Sequence, residues 1–273
     1  MVLGVDVGNT QTVLGLFDEG GLRRRWRLST VAEATADELR VKLTGLLSAD
    51  GFGWQDVTGV VVASVVPVLT HAYAELAEEV TGAPPLLVSA ASAPGLLLHY
   101  EEPAELGADR VANAVAAVEE HGAPVVVVDF GTATTLDVIG EAGTYLGGAI
   151  APGIETSAEA LFAKAARLPE VGLEPPGRVV GRNTREAVQA GLLLGEAAMV
   201  DGLVRRVWAE LGAETPVVAT GGLAPRMAPL CETVGAVDVD LTLKGLMALW
   251  RVRPGAEAEG GAAGEVAGRG GGR

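Results

Sequence analysis

Two aspartates, Asp6 and Asp129, each close a run of mostly β-branched residues, and a glycine stands two positions after each, Gly8 and Gly131. Thr12 and Thr135 extend the match, and all three pairs share one offset of 123 residues. The two segments read GVDVGNTQTVL (4–14) and VVDFGTATTLD (127–137). Each predicts a strand, a tight turn and a return strand. The glycine lets backbone approach a ligand, and the turn N–H groups with Asn9, Thr10, Thr132 and Thr134 can hydrogen-bond phosphate oxygens. The two carboxylates, at equivalent strand ends, can hold cations against those phosphates. Valine strands ending in Asp-x-Gly are common, and one copy alone would say little. Two copies aligned at Asp, Gly and Thr favour a duplicated chain whose halves close on a nucleotide.

A third group interrupts an otherwise small and apolar helix start, Glu105-Leu-Gly-Ala-Asp-Arg-Val-Ala-Asn113. Asp109 and Asn113 are four apart and share a helix face. Two readings stay open here. Asp109 can be a helix-start carboxylate favoured by the macrodipole, with Arg110 solvated. Alternatively, Asp109 accepts a proton from a substrate hydroxyl while Arg110 anchors an anionic substrate, the positioning and charge neutralisation that phosphoryl transfer needs.

These groups need a scaffold, and the chain supplies enough of one. At 273 residues and 49% hydrophobic it can hold one large or two medium domains with ample core. A net charge of −15 without a basic stripe argues against nucleic acid as a partner. No apolar run approaches the ~20 residues of a membrane span, and no signal-peptide pattern opens the chain, so a cytoplasmic protein without a membrane partner is expected. Cys231 is the sole cysteine, which excludes an internal disulfide and multi-cysteine zinc sites. The three histidines, His71, His99 and His121, are scattered. The basic cluster Arg23, Arg24, Arg25 and Arg27 reads as protection of an edge strand.

The pattern predicts strands at Val2–Val7, Thr12–Phe17 and Gly21–Leu28, then a helix from Ala36 to Leu47, with Thr35 and Glu38 at capping-box spacing. A buried strand over 57–66, a helix opened by Pro67, a short strand at Pro84–Val88 and a helix over Glu105–Glu120 follow. The plan then repeats: strands at Val125–Asp129, Thr134–Ile139 and Thr144–Ile150, a helix start marked by Thr156 and Glu159, and a long helix from Thr184 to Leu203 behind Asn183 and Glu186. A strand at Val217–Ala219 runs into Thr220-Gly221-Gly222, and helices follow at Ala224–Leu230 and Leu241–Leu249. Two meanders, each followed by helices and parallel strands, predict an α/β chain of two duplicated ribonuclease-H-like (actin-like, ASKHA) domains with a nucleotide cleft between them. The expected divisions are 1–118, 119–253 and a disordered Gly/Ala/Glu/Arg tail at 254–273.

Within that plan, VDVGNTQTVLGLFD, SVVP (64–67), Tyr100, GADRVAN (107–113), VVDFGTATTLDVI, YLGGAIAPG (145–153), GRNT (181–184), GLLLGEAAMVDG (191–202) and ATGGLA (219–224) closely resemble the type III pantothenate kinases. The resemblance covers roughly residues 1–250 and keeps the family's order. It implies ATP-dependent phosphorylation of pantothenate to 4′-phosphopantothenate, the first step of coenzyme A synthesis, by a cytoplasmic homodimer.

By the same resemblance, Asp6, Val7, Gly8, Asn9, Thr10, Gln11, Thr12 and Val13 form the first ATP phosphate loop, with Asp6 acting through Mg²⁺. Val13 contributes backbone only. Thr132 contacts ATP, and Gly221 and Gly222 lie near the adenosine. Tyr100, Gly107, Ala108, Asp109, Arg110 and Thr184 bind pantothenate, with Asp109 the general base. Asp129 is the ligand of a monovalent cation, K⁺ or NH₄⁺. Read without the family, Tyr100 can be a packing aromatic and Thr184 a helix cap. No lysine lies in either hairpin and GxxxxGK[ST] is absent, so a P-loop kinase is excluded. Another actin-like phosphotransferase, such as a sugar kinase or polyphosphatase, and a non-catalytic regulator on the same scaffold are the alternatives.

Overall fold

The computed structural model describes residues 1–93, 96–165 and 168–253. The tail expected over 254–273 lies outside the described residues.

The first meander is β1 (Val2–Val7), β2 (Gln11–Asp18) and β3 (Gly21–Ser29). Next come α1 (Ala36–Ala49), β4 (Gly59–Ser64), α2 (Pro67–Thr81) and the two-residue β5 (Leu86–Leu87). After β6 (Leu97–Leu98) and α3 (Ala108–His121), the second meander is β7 (Val125–Phe130), β8 (Ala133–Ile139) and β9 (Thr144–Pro152). Then follow α4 (Ile154–Lys164), α5 (Thr184–Gln189), α6 (Gly195–Leu211) and β10 (Val217–Thr220). The last elements are α7 (Ala224–Met227), β11 (Ala236–Val237) and α8 (Leu241–Arg251).

These elements fall into two compact units. The first comprises Met1–Pro94, Leu106–Ala112 and the stretch beginning at Leu243; the second comprises Gly95–Glu105 and Asn113–Thr242. The first unit's sheet runs β3-β2-β1-β4-β5. The second unit's runs β9-β8-β7-β10-β11, with β6 added beside β9. In each, the three strands of the meander are antiparallel to one another and the crossover strands are parallel, as is β6 beside β9. The α/β duplication expected from the repeated hairpin is therefore present in strand order as well as in sequence.

Burial explains the central strands. β1 and β7 are flanked on both sides, and each shows one half-exposed position in an otherwise buried run, at Asp6 and at Asp129. In the first unit Val5, Leu14, Leu16, Leu43, Leu69 and Leu76 form the core; each such side chain contributes roughly 1.5–3 kcal/mol by leaving water. In the second, Val126, Val128, Leu136, Leu193, Val200 and Val204 do so. The argenine-rich β3 is the sheet edge, where Arg23 pairs with Asp18 and Arg24 with Asp50.

Helix ends follow local chemistry. Thr35 and Glu38 form the reciprocal capping box, Pro67 opens α2, and Gly82 and Gly212 close helices in the left-handed conformation. One predicted start moves: α4 begins at Ile154 behind Gly153, so Thr156 is not its cap. The predicted long helix is interrupted, because Ala190–Leu194 is a π turn between α5 and α6. The continuous run Thr184–Leu211 is long and apolar enough to cross a membrane, which the reading of the sequence did not anticipate. Half of its apolar window is buried inside the protein, as in a core helix.

The strand register also corrects the sequence repeat. Val7 pairs with Thr12 across the first hairpin, and Phe130 pairs with Thr134 across the second. The second loop is one residue shorter, so the counterpart of Thr12 is Thr134 rather than Thr135. A fixed offset could not reveal this, since a one-residue slip carries a side chain to the opposite sheet face.

Candidate functional site

The first turn, residues 8–11, is closed by the Gly8 N–H donating to the Gln11 carbonyl at 3.0 Å. Thr30, just beyond β3, ties it down. Its hydroxyl donates to the Gly8 carbonyl (2.8 Å) and its N–H to the Thr10 carbonyl (2.9 Å), and the Thr12 and Thr30 hydroxyls lie 2.9 Å apart. Thr12 is buried and shapes the turn from behind. Asn9, Thr10 and Gln11 are exposed, Asp6, Gly8 and Val13 are half-buried, and Val7 is buried.

The same unit carries the Gly107–Arg110 segment, where α3 begins. Asp109 Oδ1 accepts the Arg110 N–H at 2.9 Å. A Cβ on Gly107 would stand 2.5 Å from that oxygen, so a side chain there would push the carboxylate from its present position. Burial pushes the Asp109 carboxyl above the usual range, and the Arg110 N–H and guanidinium pull part of the shift back. Arg110 is itself only 8% exposed. A buried arginine beside a half-buried, more basic carboxylate is not a solvated cap; the segment is built to hold charge out of water.

In the second unit the turn at 131–133 is closed by the Gly131 N–H donating to the Ala133 carbonyl at 3.0 Å. Its tethers come from farther away. The Thr132 carbonyl accepts from the Gly153 N–H (3.0 Å) and from the Thr156 hydroxyl (2.7 Å), and the Phe130 carbonyl accepts from the Leu223 N–H (3.2 Å). A Cβ on Gly153 would stand 2.3 Å from the Gly131 carbonyl oxygen, so this glycine lets the start of α4 close on the turn. The Thr132 side chain is exposed.

Asp129 is oriented from two sides. Its Oδ2 accepts Asn113 Nδ2 at 3.2 Å, and Asn113 Oδ1 accepts the Thr242 hydroxyl at 2.7 Å. Its Oδ1 lies under Gly221, where a Cβ would come within 2.3 Å, and Gly221 has φ +91°. The Thr-Gly-Gly turn thus serves Asp129 as well as any ligand. Gly222 faces open space and is exposed, so no protein contact demands its missing side chain.

Tyr100 and Thr184 also belong to the second unit. Tyr100 meets Tyr145 edge-on at 5.9 Å and lies over Gly147, while the Tyr145 hydroxyl donates to the fully buried Asp137 at 2.6 Å. Asn183, not Thr184, caps α5, accepting the Glu186 N–H at 2.9 Å. Thr184 is left exposed, with no side-chain hydrogen bond among the described residues.

Sequence reasoning missed Thr30, Gly153, Thr156 and Thr242 as supports. Asn113, fully buried, was visible as a polar break in an apolar helix, but its partner was not. Among the described residues no three His, Cys, Asp or Glu side chains gather as a metal centre. The Asp6 carboxylate, at the end of β1 beside the first turn, is a hard oxygen donor of the kind that suits Mg²⁺ arriving on nucleotide phosphates with its waters. The Asp129 carboxylate, which accepts Asn113 Nδ2, offers oxygen donors of the kind that suit a cation. The Cys231 thiol is pushed up to about 12, mainly by burial, and stays protonated. A cavity of about 660 Å³ opens at the other end of β1 and β2, lined by Met1, Phe17, Asp18, Arg23, Met247 and Arg251, and contains none of the predicted residues.

The family model described as "Type III pantothenate kinase" matches residues 2–206. The type III pantothenate kinase of Thermomicrobium roseum is 52% identical over 246 residues, covering 90% of this chain and 95% of that one. That of Moorella thermoacetica is 46% identical over 246 residues, covering 90% and 97%. Among solved structures, one described as a conserved Baf family transcriptional activator from Campylobacter jejuni aligns with TM-score 0.60 at 19% identity, covering 91% of this chain and 97% of that one. The activator of the 2-hydroxyisocaproyl-CoA dehydratase from Clostridium difficile, with bound ADPNP, aligns with TM-score 0.57 at 17% identity, covering 96% and 97%. At such identities these two speak for a shared fold alone.

Proposed function

The chain belongs to the type III pantothenate kinase family, and from that membership we infer that it catalyses ATP-dependent phosphorylation of pantothenate in coenzyme A biosynthesis. The observation that carries the mechanism is the start of α3, where burial raises the Asp109 carboxyl beside a buried Arg110.

In this reading Asp109 is the general base. The primary hydroxyl of pantothenate attacks the γ-phosphorus of ATP, the bond from that phosphorus to the bridging oxygen of ADP breaks, and the hydroxyl proton passes to Asp109. A carboxylate above its usual pKa is a better proton acceptor at neutral pH than an exposed one. Arg110 pairs with the pantothenate carboxylate, for which a guanidinium offers two parallel N–H donors. Tyr100, Gly107, Ala108 and Thr184 complete the pantothenate site. The exposed Thr184 hydroxyl supports this, since the helix cap is already supplied by Asn183.

ATP phosphates bind the turn amides of residues 6–13 and the exposed Thr132, and Gly221 and Gly222 admit the adenosine. Asp6 would hold Mg²⁺ and Asp129 K⁺ or NH₄⁺; when bound, such ions spread the charge of the transferring phosphoryl group, which no lysine in either hairpin can do. The enzyme acts in the cytoplasm as a homodimer, a reading supported by the family and by the exposed Ile150, Val179 and Val180. Sedimentation equilibrium showing only monomer would refute the dimer.

Incubation with ATP, Mg²⁺, K⁺ and pantothenate should yield 4′-phosphopantothenate by mass spectrometry. Turnover of sugars or polyphosphate with pantothenate left untouched would overturn the assignment.

A further inference from the structure

Glu196 is a buried carboxyl that the proposed reaction does not use. It is 8% exposed and stands at the second position of α6, directly after the π turn. Its Oε1 accepts the Thr134 hydroxyl at 2.5 Å, a short contact. Thr134 is 1% exposed and is the first buried residue after the turn that bears Thr132. Desolvation raises the Glu196 pKa, and the Thr134 hydroxyl offsets part of that rise.

A bond between two side chains in the core need not involve an ionisable group. The counterpart threonine, Thr12, is met by the neutral hydroxyls of Thr30 and Tyr73, which have no desolvation penalty of this size. The helix is also irregular at this place. The extra residue of the π turn rotates everything after it by about 100° relative to an unbroken α-helix. That rotation brings Glu196 onto β8 while Leu193 and Ala197 stay in the core. A costly residue and an irregular turn thus converge on one hydroxyl beside the Thr132 turn.

We propose that Glu196 is a positioning residue for the nucleotide: it fixes Thr134, and through Thr134 the turn whose amides meet the ATP phosphates. This rests on reading residues 131–133 as a phosphate turn, and it concerns nucleotide affinity rather than the proton transfer. Gln keeps an oxygen that can accept from Thr134, so the conservative variant should retain the function.

The test is calorimetric binding of the nonhydrolysable analogue ADPNP with Mg²⁺, alongside KM for ATP and for pantothenate. Glu196→Ala should weaken ADPNP and raise KM for ATP by about tenfold, the range expected for losing one buried hydrogen bond to a charged group. KM for pantothenate should stay within about twofold, and Glu196→Gln should bind ADPNP within about twofold of the wild type. Thr134→Val should reproduce the alanine effect, and the double variant should be no weaker than either single one. Wild-type affinity in Glu196→Ala, equal loss for both substrates, or failure of Gln to restore binding overturns the proposal. If Glu196→Ala does not fold, Thr134→Val decides, and wild-type ADPNP binding in that variant overturns it. Wild-type protein that binds no ADPNP overturns the reading of the turn, and this inference with it.

Discussion

The two hairpin turns carry the same local chemistry on different supports. The first is held by Thr30, which reaches it across its own meander, and its Thr12 also bonds Tyr73 of α2. The second is held by Gly153 and Thr156 at the start of α4, by Leu223 after β10, and by Glu196 through Thr134. A turn fastened by three other elements is fixed by the whole unit. Duplication conserved the carboxylate and the glycine, whereas the supports were built separately on each side.

The largest expected effect is at a residue that neither turn supplies, and it sets the scale for the rest. Asp109→Asn should lower turnover at least ~100-fold, about 2.7 kcal/mol of barrier, in single-turnover assays. Its stability should move the other way. A carboxyl raised in the folded state is destabilising when ionised, a cost that is absent below its unfolded pKa of about 3.9 and grows as pH rises through the folded value. The asparagine variant should therefore melt higher than the wild type at pH 7 and alike at pH 3. Near-normal turnover would remove Asp109 as the base.

The glycines nearest the two strand-end aspartates should then part company. Gly221→Ala puts a Cβ 2.3 Å from Asp129 Oδ1 and 2.6 Å from the Phe130 carbonyl oxygen in a left-handed backbone, which costs about 1–3 kcal/mol for the conformation before the clashes are counted. Gly8→Ala meets only the Gln11 carbonyl oxygen, at 2.9 Å, without a positive φ. Urea titration should find the first variant far less stable than the second. Equal losses would mean that the close approach at Asp129 is relieved by a small shift.

Asn113→Leu should disturb Asp129 without touching the first turn. On the proposed cation site, the K⁺ concentration for half-maximal rate should rise about tenfold, as expected when one hydrogen bond to a carboxylate is lost. An unchanged K⁺ dependence would detach Asn113 from that site. The smallest difference lies in the supports. Thr30→Val should cost about 1–2 kcal/mol, since its hydroxyl serves both Gly8 and Thr12, and Thr156→Val nearer 1 kcal/mol, since Gly153 still holds the Thr132 carbonyl. Thermal melts that reverse this order would break the contrast between the two sets of supports.

What the sequence disclosed was what the backbone writes locally. Alternation and β-branching gave both meanders, and Thr35-x-x-Glu38, Pro67 and Asn183 gave helix starts to the residue. Thr156 misled because a hydroxyl three residues before a glutamate looks like a cap, while its bond goes to a carbonyl 24 residues earlier. The π turn was invisible because Gly191-Leu-Leu-Leu-Gly195 suits a continuous helix as well as a widened one. Asn113 betrayed itself by polarity, yet its partners Asp129 and Thr242 are 16 and 129 residues away. Partner identity at such separations is set by topology, which no local window contains.

The single-residue difference in loop length makes the halves non-interchangeable. A chimera carrying residues 8–11 in place of 131–133 would add one residue ahead of Thr134. Either the loop bulges, or β8 slides and every side chain along it changes faces, taking Leu136 out of the core it shares with Val126 and Val128 and turning Thr135 into it. Descendants of the original duplication would therefore have been free to trade substitutions between copies, but no longer whole segments.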